Sequence, residues 1–301
     1  MFKRCFLCTW ALVVFLSSAS QLVFANSTLH EERSVYSNIL VIKRGNTICL
    51  QFDVRNNQRN QSCQNQKHPK KMVFAYTKMS MASLLFAPNP QHILIIGLGG
   101  GTLPMAFHEL YPNAIIDNVE IDPAVTKVAK EFFGFTPNQQ IQVFDQDARV
   151  WVKRAALKGN QYDIIVLDAF NGEYIPEHLM TQEFLQEVKQ LLMPNGVVAS
   201  NTFTISDLYH HESATYAAVY PSLINFKLSQ TANRVIMSPS NTPPDEELIA
   251  RAKRLAAPLK EYDVPIESYA RRLIRLRKAK PDWDTAARIL TDQYSPANLL
   301  Q

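Results

Sequence analysis

One stretch, residues 92–102, limits the folds open to this chain more than any other. It reads HILIIGLGGGT, so that four apolar residues, Ile93 to Ile96, run into Gly97, Gly99, Gly100 and Gly101. A β-branched run ended by glycines predicts a buried parallel strand entering a tight turn, and Leu103 to Leu110 can begin a helix. Strand, glycine turn and helix start together make a site for a nucleotide-like ligand. The missing Cβ atoms admit the ligand to the backbone, and the helix start offers unpaired N–H groups. The pattern Gly97-x-Gly99-x-Gly101 suits a nucleoside of the S-adenosyl type. A dinucleotide fingerprint would place its third glycine at position 102, where Thr102 stands. The alternative is a tight turn that binds nothing.

Downstream segments extend the pattern. Ala114–Glu120 reads as a second strand with Glu120 at its end, 23 positions after Gly97. That is close to the roughly 20-residue spacing of an acid that grips ribose hydroxyls. A carboxylate suits the task because it accepts from two neighbouring hydroxyls; a solvated acid at a strand end is the plainer alternative. Pro123 opens a helix over Ala124–Phe133. Further strands are expected at Ile141–Phe144, Tyr162–Asp168 and Gly196–Asn201, with helices over Ala148–Leu157 and Thr181–Leu191. This alternation predicts an α/β fold with a doubly wound sheet. Ligands of such sheets bind beyond the carboxyl ends of the strands. Acids recur at that edge: Glu120, then Asp145 and Asp147, then Asp168.

Ahead of this domain, Ser34–Phe52 alternates like antiparallel strands, with a hairpin signal at Gly45-Asn46. A small N-terminal β region is expected over 34–70, the Rossmann-like domain over 72–240 and a helical segment over 245–301. Met72–Phe86 reads as a helix in which Phe74, Met79 and Met81 pack. Residues 1–25 carry the parts of an export signal: Lys3 and Arg4, a nearly all-apolar Cys5–Phe15, then Val23-Phe24-Ala25. The apolar core is short for a membrane span of about 20 residues. Export as a periplasmic or secreted protein, and anchoring through an uncleaved segment, are the two expectations. Beyond that segment only Cys49 and Cys63 remain, a candidate disulfide in an exported chain. Two independent thiols are the alternative. A bridge would close a polar loop holding Asn56, Asn57, Gln58, Asn60 and Gln61, which has little core of its own.

Later stretches constrain less. Tyr216–Tyr220 and Asn233–Met237 read as strands, 239–244 as a break, and Asp245–Leu259 as a helix with an acidic start. Ser268–Ala279 is a basic helix whose Arg271, Arg272, Arg275, Arg277 and Lys278 read as a solvated face, with binding to anionic lipid or a partner as the alternative. The net charge is +4, and two of those charges belong to the export segment. Such a balance does not suggest a nucleic-acid groove. No metal-ligating set is expected.

The segments ILIIGLGGGT, VEIDPAV, DQDARVWV and YDIIVLDAFNGEYIPEHLMTQEFL resemble the spermidine synthase (polyamine aminopropyltransferase) family, in order and spacing from about Val35 to Phe203. The closing ILTDQYSPANLL resembles the tail of bacterial spermidine-synthase-like proteins. The resemblance implies a small N-terminal β domain on a Rossmann-like, class I methyltransferase-like domain. It also implies aminopropyl transfer from decarboxylated S-adenosylmethionine to a diamine such as putrescine, with no tightly bound cofactor. Carried over, Glu120 would hold the ribose, and Asp147 with Ala148 would face the adenine amino group. Asp168 would take a proton from the attacking amine or orient it, and Tyr76 would help place that amine. An acid that merely caps a helix or orders a loop is the alternative for Asp168. Family members are often dimers or tetramers, so a homodimer is a further expectation.

Two positions depart from the family. Gly100 stands where the glycine loop usually has an acid that binds the donor's amine and repels a donor carboxylate. Asn171 stands where a second acid usually follows the catalytic one, and Glu173 is a nearby substitute. Lys78, two residues after Tyr76, would oppose a cationic substrate if it pointed inward. Three functions follow: an aminopropyltransferase with a relaxed or unusual amine substrate, an S-adenosylmethionine-dependent methyltransferase, or a noncatalytic nucleoside- or polyamine-binding protein.

Overall fold

The computed structural model describes residues 27–54, 57–170 and 174–294. The export segment 1–25, together with Asn56, Asn171 and Glu173, lies outside the described residues.

The chain opens with a four-stranded antiparallel sheet of β1 (Ser27–Arg33), β2 (Asn38–Arg44), β3 (Thr47–Val54) and β4 (Asn57–Asn65), in that spatial order. The β2–β3 turn falls at Gly45-Asn46, where Gly45 takes φ +58. The sheet starts earlier than Ser34, and the segment expected as a polar loop is largely strand β4. Pairing with β3 gives those polar residues a ladder, and Gln51 donates its side-chain amide to Asn60 Oδ1 at 2.7 Å. Cys49 and Cys63 stand opposite each other in that ladder and form a disulfide.

Residues 72–86 are only partly α-helical: α1 (Ala75–Ser80) tightens into a 3-10 turn over Met81–Leu85. Met79 and Met81 are fully buried there. The second domain then runs β5 (His92–Ile96), α2 (Thr102–Leu110), β6 (Ile115–Glu120), α3 (Pro123–Phe132), β7 (Ile141–Asp145), α4 (Ala148–Leu157) and β8 (Tyr162–Leu167). It continues through a 3-10 turn at Glu177–Leu179, α5 (Gln182–Gln190), β9 (Leu192–Phe203), α6 (Tyr209–Val219), β10 (Ile224–Lys227) and β11 (Asn233–Pro239). Two helices close the chain, α7 (Asp245–Leu259) and α8 (Ile266–Arg277).

The second sheet has the order β10-β11-β9-β8-β5-β6-β7, with β10 and β11 antiparallel to their neighbours and the rest parallel. The chain winds one way from β5 to β6 and β7, then the other way to β8 and β9. That reversal opens a crevice beyond β5 and β8, where open α/β sheets bind ligands. Fully buried Ile93, Leu94, Ile164, Ile165, Val197 and Val198 form the central strands, with side chains packed on both faces.

Tyr216–Tyr220 was expected to form a strand but lies mostly in α6. This helix buries Glu212, Ser213 and Thr215 as well as Tyr216, so its apolar residues show no helical period. Arg234 accounts for much of that buried polarity. Its guanidinium, itself without exposure, meets Glu212 at 2.7 Å and Ser213 Oγ at 2.6 Å. The basic helix α8 is partly tied down, since Arg277 donates to the Pro243 carbonyl at 2.7 Å and pairs with Asp245. Among the described residues, no helix is long and apolar enough to cross a membrane.

Candidate active site

The site starts at the glycine turn. Gly97 takes φ +97, and a Cβ on it would lie 2.3 Å from the carbonyl oxygen of Asp168. Only glycine lets the ends of β5 and β8 approach this closely. Asp168 is held there by its own N–H, which donates to Ile96 O at 2.8 Å. Gly101, at φ +76, is the N-cap of α2. Gly100 is accounted for by its neighbours. A Cβ there would stand 2.8 Å from Ser62 Oγ and 2.9 Å from the Phe133 ring. An acid at this position would have to displace a side chain delivered by β4.

Beyond the turn lies a cavity of about 250 Å³. Gly97, Gly99, Glu120, Asp147, Ala148, Asp168 and Tyr76 all line it. Four carboxylates face it, those of Glu120, Asp122, Asp147 and Asp168, and no lysine or arginine is among the described lining residues. Lys78 turns away and pairs with Asp263 at 2.6 Å, while Thr77 faces the cavity. Among the described residues, no group of three or more His, Cys, Asp or Glu could hold a metal ion.

Glu120 shows a little surface to the cavity but is otherwise enclosed. Its Oε2 accepts from Leu98 N–H at 3.0 Å and its Oε1 from Asp122 N–H at 3.1 Å. Burial pushes its carboxyl up to about 7, against the pull of those N–H groups. Asp122, held by Ser34 Oγ at 2.5 Å, caps α3 by accepting from Ala124 N–H. This contact fastens the N-terminal sheet over the Glu120 end of the crevice.

Asp168 has a similar environment. Burial pushes it up to about 7, opposed by hydrogen bonds from Asn201 and Tyr76 and aided by the charge of Glu120. Asn201 Nδ2 donates to its Oδ1 at 2.8 Å. Burial, with the Asp168 charge beside it, pushes the Tyr76 hydroxyl well above the usual phenol range, so it stays protonated and donates. Asp147 caps α4 by accepting from Val150 N–H at 2.9 Å, and its other oxygen meets His178 Nε2 at 3.0 Å.

Several residues in the cavity wall or directly behind it had little signal in the sequence. Asn201 lies at the end of β9, one step past the register pair Leu167–Ser200, and so comes beside Asp168. His178 sits in the 3-10 turn that follows β8. Gln61 and Ser62 arrive from the edge strand of the other sheet. Only the spacing of Asn201 from the apolar run of β9 could have marked it.

The spermine/spermidine synthase domain model matches residues 72–237. A polyamine aminopropyltransferase of Vibrio vulnificus is 48% identical over 279 residues, covering 92% of each chain. Among solved structures, a probable spermidine synthase of Corynebacterium glutamicum superposes with a TM-score of 0.64 at 19% identity, covering 86% of this chain and 98% of its own. Human methyltransferase-like protein 13, in complex with SAH, superposes with a TM-score of 0.55 at 27% identity, covering 71% of this chain and 97% of its own. Sheet order, glycine turn, acid-lined crevice and these matches agree: the chain belongs to the spermine/spermidine synthase family.

Proposed function

We propose that this protein transfers an aminopropyl group from decarboxylated S-adenosylmethionine to a diamine such as putrescine, with Asp168 receiving the proton of the attacking amine. The observation that carries the reading is the cavity wall, with its four carboxylates and no lysine or arginine among the described lining residues. Such a wall favours ligands that bring positive charge, here a sulfonium and an ammonium.

The chemistry follows from that wall. A diamine arrives largely as a cation, but only its neutral nitrogen can attack the carbon beside the sulfonium. A carboxylate holds the ammonium and then takes a proton as the C–N bond forms. The C–S bond breaks with its electron pair on sulfur, leaving a neutral thioether. A carboxyl that titrates near 7 is matched to this task at neutral pH. Tyr76, a donor at that pH, helps fix the reacting end, and Glu120 holds the ribose. Positioning of both partners in line supplies much of the rate. Amine contacts by Asn171 and Glu173 belong to the same proposal.

Methyl transfer from S-adenosylmethionine is the second reading. Gly100 favours it, because no acid stands there to repel a donor carboxylate. Incubation with each donor and putrescine, followed by mass detection of a triamine or a methylated amine, separates the two. Donor binding without either product would support a noncatalytic binding protein.

Export or anchoring through residues 1–25 is proposed too. The Cys49–Cys63 bond supports it, since such bonds persist in oxidising compartments. Cell fractionation tests the location, and light scattering tests the proposed homodimer.

A further inference from the structure

Asp168 is held by more than its own strand. Asn201 Nδ2 donates to Asp168 Oδ1 at 2.8 Å, and Asn201 Oδ1 accepts from Asn233 Nδ2 at 3.0 Å. Asn233 Oδ1 accepts in turn from Thr231 Oγ1 at 3.2 Å. The Asn233 backbone N–H donates to that same hydroxyl oxygen at 3.1 Å, which leaves the hydroxyl proton for Asn233 Oδ1. The direction of every amide in this chain is therefore set. Turning Asn201 over would put its carbonyl against the carboxylate and its NH2 against the NH2 of Asn233. The chain crosses the sheet from β11 to β9 to the end of β8, and Asn201 is only 3% exposed.

We infer that Asn201 is a positioning residue for Asp168: its fixed NH2 keeps Oδ1 an acceptor, so the proton taken from the attacking amine is received on Oδ2. This rests on the proposed proton transfer to Asp168. The groups facing Asp168 are Tyr76 from α1, Glu120 from the tip of β6 and Asn201 from β9. His178, on the cavity wall, is engaged with Asp147. A neutral amide in this position orients the carboxylate without the large drop in basicity that an adjacent guanidinium or ammonium would cause. An aspartate fixed by an arginine would be too weak a base for an amine proton; without Asn201, Oδ1 would lose the donor that distinguishes it from Oδ2.

The test uses the full chain and titrates Asp168 directly, by the 13C shift of its side-chain carboxyl, assigned by its loss in Asp168→Asn. Asn201→Leu is expected to move the midpoint upward by about half a pH unit or more, because a donor to the charged form is lost. The acid limb of kcat/KM is expected to move the same way. The kcat is expected to fall by roughly tenfold or more while the KM for donor stays within about twofold. Thr231→Val, which frees the far end of the chain, is expected to give a smaller shift of the same sign, and it carries the test if Asn201→Leu does not fold. An unmoved midpoint in the folded variants overturns the inference. Wild-type protein whose Asp168 midpoint responds to these substitutions, but which turns over neither donor, overturns the proposed function instead.

Discussion

The Tyr76 hydroxyl faces the Asp168 carboxylate across the seam between α1 and the end of β8, close enough for each to shift the other's titration. Nearly a hundred residues separate them in the chain. Both line the cavity. The same tyrosine hydroxyl also lies 3.5 Å from the carbonyl of Gln61 on β4, so the N-terminal sheet, α1 and the parallel sheet converge on one point.

Asp168→Asn should lower transfer by about 10²- to 10⁴-fold, the range expected for loss of a general base. Donor binding, measured by calorimetry, should persist, because the glycine turn and Glu120 are untouched. Product formation at the wild-type rate would remove Asp168 from the chemistry.

Activity should rise as pH increases through about 7, as Asp168 becomes a carboxylate. Stability of the ligand-free protein should carry the opposite dependence from this group and Glu120. Both titrate at about 7 when folded and near 4 when unfolded, so the folded state holds more protons between those values. Their contribution is most favourable at or below about pH 4 and is lost as pH rises through about 7. Melts of wild type and Asp168→Asn from pH 5 to pH 8 check the sign: the variant should gain more at pH 8 than at pH 5.

Glu120→Gln should weaken donor binding by about 1–3 kcal/mol, the cost of a lost charge-assisted hydrogen bond. A 2′,3′-dideoxy donor analogue should bind both proteins alike. If Glu120→Gln weakened that analogue as much as the full nucleoside, the ribose would not be what Glu120 holds.

Gly97→Ala should lower the melting temperature and abolish donor binding together. The added methyl would meet the Asp168 carbonyl at 2.3 Å in a backbone conformation with φ +97. Strain of this kind costs on the order of 1–3 kcal/mol even before the clash. Thermal unfolding and calorimetry on one preparation read both effects.

Thiol counting on the unreduced protein should find Cys49 and Cys63 unreactive. Cys49→Ser with Cys63→Ser should cost about 3 kcal/mol for a link across 14 positions. Because the bond anchors β4, which carries Gln61 and Ser62 into the cavity, donor affinity should fall as well. Equal affinity with and without reductant would show that β4 holds its place unaided.

The alternation of apolar runs, glycines and amphipathic segments was enough to read out the parallel sheet. Strand β5, the turn at Gly97 and helix α4 come from local periodicity and backbone sterics, which act over a few residues. The acids at successive strand ends were legible for the same reason, since the topology of a doubly wound sheet brings strand tips to one edge. Residues 216–220 were misread because α6 buries polar side chains against Arg234, and a period in hydrophobicity cannot register a buried ion pair. Strand β4 was missed because a run of asparagine and glutamine looks like a loop until a partner strand supplies its ladder.

What the sequence determined by itself was therefore the fold, the crevice and the acids around it, all consequences of short-range pattern. Only the tertiary structure decided that Lys78 points to Asp263, that Ser62 and Phe133 fill the space over Gly100, and that Asn201 fixes Asp168. Each of these depends on elements far apart in the chain meeting at a few ångströms, and the packing of a whole domain sets that distance.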